Sequence, residues 1–218
     1  MKKALGFAAA AGLLAISCSK DVIYGSGKIS EDVRQVGSFS GVRISGEAKV
    51  FIIRDSIASL RLSGYQNILD RIESISGTDG VLRIGNKQGV EIRNSNLEIY
   101  ITTPTLGSLA CSGKTNTEVR GGFAASRLSI DLSGLSELSW KDSSSADTLA
   151  LTSSGSVKCY LFPLDAGYIH VDNSGNTLTE VTASERISGA LTGNCILYYR
   201  GNPMIDVSLS GASKIEKK

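Results

Sequence analysis

The chain carries one histidine, His170, and Asp172 follows it two positions later. On an extended strand that spacing puts both side chains on one face. A single histidine excludes a multi-histidine metal site and leaves a Ser-His-Asp triad one possible base. Tyr160 and Tyr198 form a second group, with Glu180 between them in the repeat described below. Exposed aromatics can stack on sugars or anchor an interface, and they are also ordinary strand residues. Cys111, Cys159 and Cys195 are widely spaced and form no C-x-x-C pair, so they fit neither a zinc site nor an even disulfide framework. They read as small buried hydrophobes. No phosphate-binding glycine loop and no cofactor motif is present; no metal and no cofactor is expected.

These residues are positioned by a repeat. The 218 residues include 32 serines and 24 glycines, and Ser-Gly or Thr-Gly recurs at Ser112–Gly113, Ser133–Gly134, Ser154–Gly155, Ser174–Gly175, Thr192–Gly193 and Ser210–Gly211. The steps between glycines are 21, 21, 20, 18 and 18 residues. Apolar residues stand six and four positions before the glycine, as Leu128 and Ile130 or Ile169 and Val171 do. Others stand four and six after it, as Leu138 and Trp140 or Leu197 and Tyr199 do. Spacing of two is strand periodicity. Each unit is strand, glycine corner, strand and polar return. A unit that cannot bury its apolar face alone must stack on copies of itself. The expected fold is all-β, a parallel right-handed β-helix with 18–21 residues per turn.

Alignment of the turns puts Asp131 in the outward column of Asp172, two turns away, or about 9.6 Å. That exceeds the carboxylate separation of retaining glycosidases and reaches the upper edge for inverting ones. Some β-helix enzymes use outward carboxylates to bind calcium or polarise a sugar. A solvated β-face is the simpler reading of Asp131, His170 and Asp172.

The N-terminal half is less regular. Tyr65–Ile75 places Ile68, Leu69, Ile72 and Ile75 at helical spacing, and predicts a short amphipathic helix or bulged loop capping one end. Val81–Ile84 and Leu97–Ile101 read as strands. At the start, Met1–Lys2–Lys3, the uncharged run Ala4–Ile16 and Ser17–Cys18 form a signal-peptide pattern. Ala15–Ile16–Ser17–Cys18 resembles a bacterial lipobox, with alanine where leucine is usual; an ordinary signal-peptidase site is the alternative. The expected division is a signal over 1–17, a lipid-anchor cysteine at Cys18 with a tether over 18–35, and a β-helical head over 36–218. The whole chain has 23 Lys+Arg and 21 Asp+Glu. Without Lys2 and Lys3 the charges balance, which argues against nucleic acid as a partner.

Asn67–Ile68–Leu69, Gly80–Val81–Leu82–Arg83–Ile84 and Ile99–Tyr100–Ile101–Thr102–Thr103–Pro104–Thr105–Leu106 precede the Ser-Gly turns. In that order they resemble the head GIN domain of autotransporter adhesins, over roughly residues 36–215. The resemblance implies a β-helical fold and a Gram-negative envelope location, but no functional residues. The expectation is a non-enzymatic, lipid-anchored envelope protein, on the outer membrane, presenting a surface to a cell-surface protein or glycan. The alternative is a carbohydrate-binding or polysaccharide-cleaving protein using the Asp131, His170 and Asp172 face.

Overall fold

The computed structural model describes residues 21–218. The signal segment 1–17 and Cys18 lie outside the described residues. The elements in chain order are β1 (Asp21–Tyr24), β2 (Ile29–Arg34), β3 (Gly41–Arg54), β4 (Ser59–Tyr65), α1 (Gln66–Leu69), β5 (Ile72–Ser76), β6 (Val81–Asn86), β7 (Val90–Arg93), β8 (Glu98–Thr103), β9 (Ser108–Arg120), β10 (Ala124–Trp140), β11 (Ser144–Arg200), β12 (Met204–Gly211) and β13 (Lys214–Lys217). Among the described residues the protein is all-β, apart from the single turn of α1.

The main sheet runs β12-β11-β10-β9-β3-β8-β4-β2. It is mixed and does not close on itself. The ladders β9–β10, β10–β11, β11–β12 and β11–β13 are parallel. Antiparallel pairing is found in β2–β4, β4–β8 and β5–β6. Strand β11 keeps strand pairing over 57 residues; straight, it would span about 190 Å at roughly 3.3 Å per residue. It turns instead at Gly155, Gly175 and Gly193, where φ is 94°, 90° and 104°.

Register sets like against like. Leu128 lies opposite Leu149, Ile130 opposite Leu151, Leu138 opposite Cys159 and Gly134 opposite Gly155. A Cβ built on Gly155 would fall 2.7 Å from the Gly134 carbonyl oxygen, and one on Gly175 would fall 2.6 Å from that of Gly155. Each corner therefore needs glycine twice, for its positive φ and for the backbone stacked against it. At two corners the adjacent serine bonds to the neighbouring turn: Ser112 Oγ donates to Ile44 O and Ser174 Oγ to Ser153 O, both at 3.4 Å.

Alternation along each strand then fills the core. Along β10, Leu128, Ile130, Leu132, Leu138 and Trp140 are buried while Asp131 is exposed. Trp140 packs edge-on against Phe123 at 6.1 Å. Its Nε1 donates to Ser144 Oγ at 2.8 Å, and the same oxygen accepts from the Phe123 amide at 3.1 Å.

Two expectations for the N-terminal part are corrected. Residues 18–35 are not a free tether from Asp21 onward. β1 pairs in parallel with β7, and β2 pairs antiparallel with β4. Arg34 fixes the second strand further, donating to Leu69 O at 3.1 Å and Ile72 O at 3.0 Å. The folded unit therefore begins before residue 36. The helix is also shorter than its spacing implied. It covers Gln66–Leu69 and buries Ile68 and Leu69. From Ile72 the chain pairs with β6 instead, which buries Ile72 and turns Ile75 out to 47% exposure.

Candidate binding face and groove

His170 is exposed on an outward strand position of β11. Its Nε2 lies 3.1 Å from Asp172 Oδ2, and its Nδ1 lies 3.3 Å from Ser188 Oγ on the following turn. His170 and Asp172 therefore stand side by side on one face, with Ser188 Oγ within reach of the imidazole. Asp131 does not join them. It is exposed and lies opposite Thr152, which separates it from the turn of Asp172. Among the described residues no group of three or more His, Cys, Asp or Glu side chains converges to hold a metal ion. The arrangement can orient an imidazole, and it brings no second carboxylate to the place where one reacting group would sit.

Tyr160 and Tyr198 are half-buried on another outward column. Tyr160 lies opposite Ser139, and Tyr198 lies opposite Glu216. Glu180 stands on the turn between them, a placement fixed nearby by Thr182 Oγ1, which donates to Phe162 O at 2.8 Å. Burial pushes the Glu180 carboxyl up from its ordinary value, and Arg200 and Lys218 pull it back. Those two cations also cover aromatic faces. Lys218 Nζ lies 4.1 Å from the centre of the Tyr198 ring, and the Arg200 guanidinium carbon lies 3.9 Å from that of Phe162. The column combines aromatic, anionic and cationic groups, and a ligand stacking on the covered face of Tyr198 must displace Lys218.

The three cysteines are free and buried, as expected. Burial raises the Cys111 thiol to about 11 and pushes the Cys159 thiol up further. Neither has the thiolate character that nucleophilic chemistry requires.

A concave site that the sequence did not reveal lies at the other end of the ladder. A groove of about 600 Å³ is bounded by Glu47–Lys49 of β3, Asn94–Glu98, and Lys114–Asn116 of β9, with Leu135 on its rim. Ser95 pins the Asn94–Glu98 segment by donating to Glu47 O at 2.9 Å. Asn94 and Asn96 on either side take left-handed backbone at φ 50° and 43°. Asparagine tolerates that region best among non-glycine residues. Lys114 pairs with Glu47 at 2.9 Å and Lys49 with Glu98 at 3.9 Å, so the groove's charges largely cancel. The only local signal was the Asn-Ser-Asn run, whose meaning depends on β3 pairing with both β8 and β9.

Fold and faces together define an all-β protein whose outward side chains stand in columns. The chain belongs to the family described as "Putative auto-transporter adhesin, head GIN domain", whose model matches residues 38–203. A solved "putative adhesin" from Bacteroides fragilis NCTC 9343 is similar, with a TM-score of 0.74 at 21% identity, covering 90% of this chain and 100% of that one. A "putative adhesin" from Parabacteroides distasonis ATCC 8503 has a TM-score of 0.63 at 18% identity, over 91% of this chain and 100% of that one. A "putative lipid binding protein" from the same strain has a TM-score of 0.57 at 15% identity, again over 91% and 100%. At these identities the likeness is one of fold. No curated protein matches the sequence.

Proposed function

We propose that this protein is a non-enzymatic adhesion or scaffold protein of the bacterial envelope, lipid-anchored at Cys18, whose head is a parallel, right-handed β-helix. The observation that carries the reading is the in-register stacking of like positions. Gly134 lies over Gly155 and Gly193 over Gly211, offsets of 21 and 18 residues. Parallel crossovers are right-handed in nearly all cases. Such stacking turns single outward residues into columns, and columns suit broad contact better than they suit one reaction centre. Membership in an adhesin family supports the envelope location. The partner is a cell-surface protein or glycan, and the aromatic column at Tyr160 and Tyr198 is the face that meets it. Anchoring by a multiply acylated cysteine would hold the head stably at a membrane.

The test is a glycan array and a depolymerisation assay on wild type, Tyr160→Ala/Tyr198→Ala and Asp131→Asn/Asp172→Asn. Binding weakened by the tyrosine pair, with no turnover by any variant, is the expected outcome. Depolymerisation abolished by the aspartate pair would make the protein an enzyme. Fatty-acid labelling that marks wild type and spares Cys18→Ser tests the anchor; equal labelling of both removes it.

A further inference from the structure

The strand that ends the sheet path is unlike every turn before it. β12 ends the path of the main sheet, so among the described residues its outer edge faces no strand. Ile205 lies over Ile187 and Leu209 over Leu191. Ile187 and Leu191 are fully buried, whereas Ile205 is 37% exposed and Leu209 48%. Val207, between them, is only partly buried. The inward column of the core therefore runs out through this end, beside a row of backbone N–H and C=O groups with no partner strand. An edge of that kind is completed by another strand.

We propose that the occupant is a second copy of this chain, docked tail to tail so that β12 pairs antiparallel with β12 about a two-fold axis at Val207. The strand reads Ile205–Asp206–Val207–Ser208–Leu209, which is nearly palindromic in chemistry. In that register Ile205 faces Leu209 of the second copy, Val207 faces Val207, and Asp206 faces Ser208. Apolar residues meet apolar residues across the axis, and no like charges are opposed. Asp206 is already neutralised by an ion pair with Arg186 on the turn below. The interface is isologous and therefore closes at two copies.

The head-to-tail alternative fits poorly. The opposite end of the path is β2, with Ile29, Glu31 and Val33 on one face and Ser30, Asp32 and Arg34 on the other. Either face would press a charged side chain against Val207 or its neighbours. Pairing beyond the Gly211 corner is discouraged as well, because β13 carries Lys214, Glu216 and Lys217.

The experiment is sedimentation velocity on the whole chain carrying Cys18→Ser, without and with Ile205→Lys/Leu209→Lys. These positions are exposed in the single copy, so the lysine pair should leave the chain folded, with the far-ultraviolet circular-dichroism spectrum of wild type. A dimer that weakens at least about tenfold with the lysines is expected. In the same background Val207→Cys should oxidise to a covalent dimer, because the two residues meet on the axis within disulfide reach. The exposed Thr152→Cys, several turns away, should not. A chain that stays monomeric at about 50 µM, or a dimer indifferent to both lysines, overturns the proposal. A monomer whose β12 amides exchange slowly overturns it too, since another segment of the chain would then cover the edge.

Discussion

The stretch from Ser108 onward and the stretch before it use the same kind of strand to different ends. After Ser108 every ladder along the path is parallel, and glycine corners stack with carbonyl oxygens 2.5–2.7 Å from where a Cβ would be, as at Gly134, Gly155 and Gly211. Before it, β4 pairs antiparallel on both sides, α1 packs against β4 and β2, and no such column continues beyond Gly46. A stacked region makes one residue's requirement the requirement of its neighbours. In the capping region each turn is solved locally, and a positive φ there is a matter of one backbone. Substitutions of the same kind should therefore cost more in the first region than in the second.

The sharpest contrast is between two glycines. Gly155→Ala meets both the positive φ of 94° and the Gly134 oxygen, so a loss of about 3 kcal/mol or more is expected from strain and overpacking together. Ser144→Ala should cost about 1–3 kcal/mol, because it leaves the buried indole N–H of Trp140 without its acceptor. Gly80→Ala, at φ 72° with nothing within 4 Å of the new Cβ, should cost only about 1 kcal/mol. Urea unfolding of the three variants supplies the values. Equal losses at Gly80 and Gly155 would show that stacking adds nothing to the φ requirement.

The legibility of the sequence divides along the same line. From Gly113 onward the alternation and the glycine steps carry the strand positions, because each pairing is with a copy of the same pattern one turn away. His170 and Asp172 are where that pattern put them, and so are the buried Cys111 and Cys159. Residues 21–34 misled because β1 and β2 are only four and six residues long, too short to show a period. Their partners, Val90–Arg93 and Ser59–Tyr65, lie at distances no local pattern reports. The groove was hidden for the same reason, since Glu47, Ser95 and Lys114 meet only through the pairing of β3. The cations over Tyr198 and Phe162 were within reach of the repeat. Phe162 and Arg200 both stand seven positions after their glycines, in one column.

The smallest effect is electrostatic, and it sets one carboxylate from each region against the other. Asp79, in the turn before β6, is held down at about 2, chiefly by hydrogen bonding from Arg83, which donates at 3.0 Å, and further by the Val81 amide. Glu180, on the stacked column, is shifted upward from 4.5, chiefly by burial, with Arg200 and Lys218 opposing. The signs of linkage are therefore opposite. The contribution of Asp79 is present above its unfolded value of 3.8 and is lost as pH falls through about 2. That of Glu180 is present below 4.5 and is lost as pH rises through its higher folded value. Carbon-detected NMR titration of the side-chain carboxyls should find the two groups on opposite sides of the ordinary carboxylate range, and Arg83→Gln should return Asp79 toward 3.8. The stability of wild type relative to Glu180→Gln should decline as pH is raised from the acid side to neutrality. A Glu180 carboxyl titrating at or below 4.5 would mean that the outward column keeps its water, and that stacking constrains the corners of this protein without reaching its surface chemistry.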